Sequence, residues 1–374
     1  MSTSQRSDIG TYFDDVMVVD TDVHVSSESE EIVRKKLPWM EEPHLSNLDP
    51  DVGLDKGAAS YPSHSWPDRV NEDGTAVEEK APQVVDLQTD VYETLCQQGN
   101  VDYPIINMQG RHDRLHSSER AVQEMRANNN VLLEMLDDHP DFFGLIDLFT
   151  HDPAKAAEEI DRIGDEAQFV GVYFPTSALE KPAGHPNHDV IFRAADDHDL
   201  TMVYHGESAS YLGRTPFLDE VESFMEMQTL AHPAQQMMSL TTLVIQGVPV
   251  KFPDLNHVFL QAGLGWVPYM MGRINRDYGQ RPSKAPLLDD PPEEYIRRNC
   301  WFGASPLGEP DDPDDIVDII EMTGPENIVF ASDYPNHGHD FSAVDAIFRR
   351  FPDEDRRAML HGNAIEAFDL PIGS

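Results

Sequence analysis

Apolar segments of strand length alternate with helical segments along most of the chain, and this alternation most constrains its fold. The first apolar segment is Val-Met-Val-Val at residues 16–19, and seven more follow at residues 103–107, 142–148, 169–173, 201–204, 257–261, 300–302 and 328–331. Most neighbouring segments are separated by a stretch with the apolar spacing, caps or stops of a helix. Strands joined through helices pair in parallel, and eight such units predict an α/β fold, a closed (β/α)8 TIM-like barrel. The alternative is an open doubly wound sheet, but no GxGxxG motif follows the first strand.

The chain is interpreted as a single domain over residues 1–374, with a long loop insertion at about residues 26–83. The insertion is rich in Pro, Gly, Ser, Asp and Glu and shows little periodicity. A segment of this kind directly after the first strand is either a lid over the barrel mouth or a solvated insertion. The sequence leaves both alternatives open.

The charge balance is strongly acidic. There are 68 acidic residues against 27 basic ones, which gives a formal net charge of −41 and a pI of about 4.4. The acids are dispersed along the chain, which predicts an acidic surface rather than an acidic tail. Such a surface repels itself in dilute buffer and is screened by concentrated salt, so we expect a halophilic protein. At this charge nucleic acids and anionic membranes are poor partners, so we expect neither.

Cysteine usage and hydropathy point to an intracellular protein. The two cysteines, Cys96 and Cys300, form no CxxC pattern, which argues against a disulfide framework and against a cysteine-based zinc site. No apolar signal region begins the sequence, and no run of 18 apolar residues occurs in it. We therefore expect a soluble, cytoplasmic protein.

Polar residues follow three of the predicted strands at the point where each strand ends. Asp20, Asp22 and His24 follow the first strand, and alternate residues of a strand share one face. His205 follows the fifth strand and Asp333 follows the eighth. The carboxyl ends of barrel strands meet at one rim, where active sites lie. Two carboxylates and two imidazoles (Asp22, His24, His205 and Asp333) suit one divalent ion, either zinc or the more oxygen-seeking manganese or iron. The competing interpretation of each histidine is a hydrogen-bonded structural residue.

Other polar residues are predicted on the same rim. Arg111, after the second strand, is a candidate for binding a substrate carboxylate through two parallel hydrogen bonds. The alternative is that Arg111 forms a surface salt bridge. Glu207 and Gln261 are candidates for orienting the metal ligands or the substrate. His232, next to Pro233, is predicted at a helix break and pointing inward.

Six short motifs are spread over residues 19–363. They are Val19-Asp-Thr-Asp-Val-His24, Tyr204-His-Gly206, Gln246-Gly-Val-Pro-Val-Lys-Phe-Pro-Asp-Leu255, Ala262-Gly-Leu-Gly-Trp-Val-Pro268, Ala331-Ser-Asp-Tyr-Pro335 and Gly362-Asn363. With them the chain resembles the amidohydrolase-related family (amidohydrolase 2), in the branch similar to aminocarboxymuconate-semialdehyde decarboxylase. The resemblance implies a TIM-like barrel with one divalent metal. It matches the family's first His-x-His pair with Asp22 and His24, its strand-5 His with His205 and its strand-8 Asp with Asp333.

Two departures from the family pattern affect the expected reaction. Asp22 replaces a histidine, which makes the donor set harder and more anionic. Decarboxylases of this branch carry a histidine before the Gly-rich turn, at a position that spacing assigns here to Ala262. We therefore predict metal-dependent hydrolysis of a C–N or C–O bond in a small organic substrate, with Asp333 and His205 as catalytic residues. Non-oxidative decarboxylation of a small aromatic or muconate-like acid is the alternative, and a non-catalytic metal- or ligand-binding barrel is the alternative of another class.

One divalent metal ion is the expected cofactor, with zinc preferred and manganese or iron as alternatives. The expected partner is a small-molecule substrate. The assembly is left open between a monomer and a homodimer.

Overall fold

The computed structural model describes residues 12–13, 15–25, 87–108, 118–176, 179, 181–206, 224–307, 310–334 and 341–372. Eight strands form one parallel sheet in the order of the chain. They are β1 (Val19–His24), β2 (Tyr103–Asn107), β3 (Phe143–Asp147), β4 (Phe169–Pro175), β5 (Thr201–His205), β6 (His257–Leu260), β7 (Cys300–Gly303) and β8 (Ile328–Val329).

Backbone hydrogen bonds close this sheet into a barrel. The amide of Thr21 donates to the carbonyl of Phe330 at 3.0 Å, and the amide of His24 donates to the carbonyl of Tyr334 at 2.8 Å. These bonds connect β1 with the segment that follows β8. The predicted (β/α)8 barrel is therefore confirmed.

Helices connect the strands on the outside of the barrel. In the described part of the chain, the helices of four or more residues are α1 (Leu87–Cys96), α2 (Ser118–Leu136), α3 (Pro153–Ile163), α4 (Asp189–Asp197), α5 (Phe224–Ile245), α6 (Val248–Lys251), α7 (Trp266–Gln280), α8 (Pro292–Asn299), α9 (Pro313–Thr323), α10 (Phe341–Phe348), α11 (Asp353–Arg357), α12 (Ala358–Gly362) and α13 (Asn363–Phe368). Of these, α1 and α12 have π-type hydrogen bonding. Helices α3 and α9 begin with ordinary N-caps. The side chains of Asp152 and Asp312 each accept a hydrogen bond from a backbone amide of the first turn, and a proline follows each aspartate. Among the helices described, none has the length and apolar character needed to cross a membrane.

Alternate strand residues divide the core into two layers, as the two-residue period of a strand requires. One set of side chains fills the barrel and the other packs against the helices. The inner set comes from all eight strands and consists of Val19, Ile105, Phe143, Leu145, Val170, Tyr173, Val203, Val258, Leu260, Trp301 and Val329. Ala367 and Phe368 of the last helix join this inner cluster. Because the carbonyl of Ala367 accepts hydrogen bonds from Thr201 and Asn256, which lie where β5 and β6 begin, α13 covers the amino-terminal end of the barrel. The opposite, carboxyl-terminal end is left for the site.

The first strand differs from its prediction. We expected a strand at residues 16–19 with a polar mouth after it, whereas β1 begins at Val19 and continues through the polar residues to His24, all of them buried. The reason is that hydrogen bonds to the segments on both sides hold this stretch in the sheet, a contribution that local hydrophobicity does not reveal. The predicted insertion at residues 26–83 lies outside the described residues, and the single-domain interpretation stays a prediction.

A buried tyrosine–histidine pair packs between the barrel and its helices and makes the fold sensitive to acid. The Tyr204 hydroxyl lies 3.0 Å from His257 Nδ1, and both side chains are fully buried. Burial lowers the pKa of His257 from 6.5 to about 3. The unfolded chain therefore binds a proton that the folded chain does not bind between these pH values. The stability contributed by neutral His257 is complete above pH 6.5 and declines as the pH falls towards 3.

We expect this histidine to account for about 1.4 kcal/mol of lost unfolding free energy per pH unit within that interval. Denaturant unfolding of the wild type and of His257→Gln at pH 7.5 and 5.5 measures the effect. The variant should lose less stability than the wild type on acidification. Equal losses in the two proteins would contradict the assignment.

Candidate metal centre

Four buried side chains meet at the carboxyl-terminal rim of the barrel. Asp22 and His24 belong to β1, His205 is the last residue of β5, and Asp333 follows β8. One ligand atom from each lies within 4.8 Å of the ligand atoms of the other three. The relative exposures of the four residues range from 0 to 5%, so all four side chains are buried together.

The closest approaches within this group run between carboxylate oxygens and imidazole nitrogens. His24 Nε2 lies 3.2 Å from Asp22 Oδ1 and 2.9 Å from Asp333 Oδ1. His205 Nε2 lies 3.4 Å from Asp22 Oδ2. The two imidazole rings are 5.0 Å apart at an angle of 79°. Ligand atoms that share one divalent ion at about 2.0–2.2 Å have separations on the order of 3–4 Å, so the donors are compatible with a single ion.

Unsatisfied atoms support the same conclusion. Asp22 Oδ2 and both ring nitrogens of His24 and of His205 are buried without a well-aligned hydrogen-bond partner in the described part of the chain. Buried polar atoms left in this way are costly, and a cation between them satisfies several at once. The chemistry of the donor set, two carboxylates and two imidazoles, fits zinc, manganese or iron.

The charges of the group are strongly coupled. Burial acts to lower the pKa of His24, but the nearby carboxylates of Asp22 and Asp333 raise it to about 10. Burial acts to raise the pKa of Asp22, but the nearby His205 and His24 outweigh it and lower that pKa below its usual range. The carboxylates thus favour positive charge within this buried group. Either protons on the imidazoles or a metal ion can supply that charge.

Asp20 does not join the group, although we predicted it on the same face as Asp22 and His24. The pairing of β1 with β2 shifts register between Asp20 and Val23, which breaks the simple alternation of side chains. Asp20 Oδ1 instead accepts the backbone amides of Asp22 at 3.2 Å and Ser332 at 2.9 Å. Burial raises the pKa of Asp20 to about 7. Its hydrogen bonds are with Ser332 and with the backbone of Asp22, next to the metal-site residues.

Two primary amides contact the carboxylates of the group. Asn107, the last residue of β2, donates from Nδ2 to Asp22 Oδ1 at 3.1 Å. Gln261, which follows β6, donates from Nε2 to Asp333 Oδ2. Gln261 and Asp333 both have left-handed backbones, with φ of 60° and 57°, a conformation that non-glycine residues adopt rarely and mostly at functional sites. Sequence reasoning missed Asn107, although a polar residue at the carboxyl end of a predicted barrel strand was the available signal.

Residue 261, rather than 262, is the strand-6 position that reaches the site. Spacing had assigned the family's histidine position to Ala262, but Ala262 is buried in the outer apolar core. Gln261 contacts Asp333 instead. Neither position carries a histidine, so that departure from the family pattern remains.

Helix α5 packs directly behind His205. A Cβ atom on Gly206 would lie 2.7 Å from His232 Nδ1 and 2.9 Å from Gln235 Oε1, so only glycine permits this approach. Gln236 donates to the carbonyls of Tyr204 and Leu260, the residues just before His205 and Gln261. These contacts fix the ends of β5 and β6.

His232 points inward as predicted and lies beside the metal-site group. The predicted helix break is wrong, because α5 continues through Pro233. Its ring is perpendicular to that of His205, with centroids 6.4 Å apart. Burial and the neighbouring His205 lower the pKa of His232 to about 3. A neutral imidazole therefore borders the site. Arg111 and Glu207, the other predicted substrate-binding residues, lie outside the described residues.

A closed barrel of parallel strands with a buried Asp/His cluster at its carboxyl-terminal rim defines the class of metal-dependent TIM-barrel enzymes. Residues 93–370 match the family model described as Amidohydrolase, and the chain belongs to the amidohydrolase family. The resemblance inferred from its motifs is thereby confirmed.

Curated and solved relatives are consistent with this placement. The chain is 25% identical over 314 residues to gamma-resorcylate decarboxylase from Rhodococcus jostii, which covers 79% of this chain and 92% of that protein. Its fold is similar to 5-carboxyvanillate decarboxylase from Novosphingobium aromaticivorans complexed with manganese and 4-hydroxy-3-methoxy-5-nitrobenzoic acid, with a TM-score of 0.70, 18% identity and coverage of 98% and 100%. It is also similar to dihydroxybenzoic acid decarboxylase from Polaromonas sp. with bound manganese and 2-nitroresorcinol, with a TM-score of 0.67, 18% identity and coverage of 96% and 98%.

Proposed function

We propose that this protein is a metal-dependent carboxy-lyase that removes carbon dioxide, without oxidation, from a small hydroxylated aromatic acid. The observation that carries the proposal is the buried four-residue centre in a chain whose curated relatives are gamma-resorcylate decarboxylases. Hydrolysis, which we expected from Ala262, is less well supported than decarboxylation, because both curated relatives are gamma-resorcylate decarboxylases and the two manganese-bound neighbours are decarboxylases as well.

Asp22, His24, His205 and Asp333 are the residues proposed to hold the divalent metal. When bound, the ion would act as a Lewis acid and neutralise the charge on the substrate's anionic oxygens. Two carboxylates among four donors make the set oxygen-rich, which suits manganese as well as the zinc we preferred from sequence. The manganese in the decarboxylases from Novosphingobium and Polaromonas supports placing manganese first.

Asp333 is proposed to carry the proton of the reaction. Breaking the carbon–carbon bond releases carbon dioxide and leaves an electron pair on the ring carbon, which must then accept one proton. Asp333 is fully buried at the rim and contacts His24 through Oδ1 and Gln261 through Oδ2. A carboxyl group held in this way can, once protonated, deliver that proton to the ring carbon at a fixed place, and it is ionised again until the next turnover. His205 contributes by completing the pocket from the opposite strand.

The surrounding pocket is proposed to orient the substrate and exclude water. Gln261 is the proposed contact on the β6 side, and Arg111 and Glu207 remain proposed substrate-binding residues. An arginine on this rim would suit a substrate carboxylate. We further propose that the enzyme works in a salt-rich cytoplasm. Its assembly is either a monomer or a homodimer, and sedimentation in high salt distinguishes these two states.

Metal-dependent release of carbon dioxide is the expected result of a direct assay. Protein purified in high salt is stripped with a chelator, reloaded with Mn²⁺ or Zn²⁺ and incubated with 2,6-dihydroxybenzoate or 5-carboxyvanillate. Carbon dioxide and the decarboxylated phenol should form in equal amounts. Their formation should stop when the metal is chelated and resume when metal is added back. Metal-loaded protein that releases no carbon dioxide from a panel of phenolic acids, but cleaves amides, esters or lactones, would restore the hydrolase interpretation.

A further inference from the structure

The two carboxylates of the metal centre each contact one primary amide. Asn107 reaches Asp22 from β2, and Gln261 reaches Asp333 from the end of β6. Asn107, Asp22 and Asp333 are all completely buried. Each amide lies far along the chain from its carboxylate, so only the closed barrel brings these pairs together.

The orientation of both amides follows from chemistry. An ionised carboxylate only accepts hydrogen bonds, so the NH₂ group must face it, and the amide oxygen must point elsewhere. Asn107 Oδ1 and Gln261 Oε1 are buried and have no hydrogen-bond partner among the described residues. A buried acceptor without a donor destabilises a fold. The unpaired oxygens therefore offset part of the stability that each amide contributes by donating to a buried carboxylate.

Among the residues that the structure describes, the imidazoles of the centre have no comparable partners. A metal-binding histidine usually donates its second ring nitrogen to a carboxylate or carbonyl, which fixes the ring. Nδ1 of His24 and Nδ1 of His205 have no hydrogen-bond partner in the described part of the chain. The side-chain hydrogen bonds that order this centre are concentrated on its carboxylates.

We propose that Asn107 and Gln261 are positioning residues, a pair of amide clamps that hold Asp22 and Asp333 in the orientation that binds the metal. This inference depends on the metal centre of the proposed function. A carboxylate that is free to rotate must be ordered when the ion binds, whereas a clamped carboxylate is ordered beforehand. The two amides therefore raise metal affinity while leaving their own oxygens unpaired.

The test is the metal affinity of Asn107→Leu and Gln261→Met, which remove the amide with little change in size. The Kd for Mn²⁺ is measured on the full chain in high salt from the electron paramagnetic resonance signal of free Mn²⁺. Each variant should raise the Kd by about 10- to 100-fold. The metal-free melting temperature should change little, because each substitution removes an unpaired buried acceptor together with one hydrogen bond to a buried carboxylate. Asn107→Ala replaces the leucine variant if that variant does not fold.

Asn327→Leu is the matched control. Asn327 is also buried, and its Oδ1 is also unpaired, but its Nδ2 donates to the backbone carbonyls of Arg297 and Cys300 where β7 begins. This variant should lower the metal-free melting temperature and leave the Kd within about twofold. If the wild type binds Mn²⁺ and both clamp variants bind it equally well, the clamp proposal is overturned while the metal centre stands. If the wild type itself binds no divalent metal, the metal centre of the proposed function fails.

Discussion

Replacing His205 by alanine is expected to leave a folded barrel that has lost its divalent metal and at least about a thousandfold of its decarboxylase activity. His205 is the donor supplied by β5, and its Nε2 faces Asp22 across 3.4 Å. Removing the imidazole leaves three of the four proposed metal donors and no donor on the β5 side of the centre. The fold should persist, because the barrel interior is filled by the apolar layer below the rim. Metal content after gel filtration, circular dichroism and carbon dioxide release measure the three quantities.

Asp333→Asn separates proton transfer from metal binding. The asparagine keeps the shape and one oxygen ligand but cannot carry the proton, so activity should fall further than metal content does. His198→Ala is the control, because His198 lies at the end of α4 and pairs with the exposed Asp165 at 2.8 Å. It should retain wild-type metal content. Wild-type metal content in both His205→Ala and Asp333→Asn would show that the proposed ligand set is wrong.

The melting temperature is expected to rise by about 10 °C or more between roughly 0.05 and 2 M potassium chloride. The net charge is −41, and only eight of the 27 basic residues are lysine. Surface acids such as Asp161, Asp165 and Asp314 have side-chain exposures of 64, 93 and 80%. Charges repel over a Debye length of about 30 Å at 0.01 M salt but over only about 3 Å at 1 M. Activity should increase over the same range.

Screening and salting-out are separated by comparing chloride with sulfate at matched ionic strength, since only sulfate strengthens apolar burial appreciably. Screening predicts similar curves for the two salts below about 0.5 M, where the Debye length changes most. A melting temperature that stays flat across the chloride series would show that the acidic surface is not an adaptation to salt.

The barrel was predictable because its signals are local and repeated. Eight apolar segments with helices between them have few ways to pair, and parallel pairing places every strand's carboxyl end on one rim. The side chains of Asp22, His24, His205 and Asp333 follow from that rule, which needs only the end of each strand. The structure brings these four side chains together.

Details within a strand end were not predictable in the same way. Asp20 and Asp22 look equivalent in sequence, yet a register shift in β1 turns one towards the backbone and the other towards the pocket. Similarly, residues 261 and 262 differ by one step, and the left-handed backbone of Gln261 decides which reaches Asp333. One-residue differences change the face on which a side chain lies, and apolar periodicity does not resolve them.

By itself the sequence determined the class of fold, the acidic surface and the residue types available to a divalent metal, since these depend on composition and on short-range periodicity. Only the tertiary structure decided which polar groups support the centre. Asn107 meets Asp22 across 85 positions of the chain, and Gln261 meets Asp333 across 72. Such contacts arise from closure of the barrel, which places residues distant in sequence on neighbouring strands, and no local pattern records them.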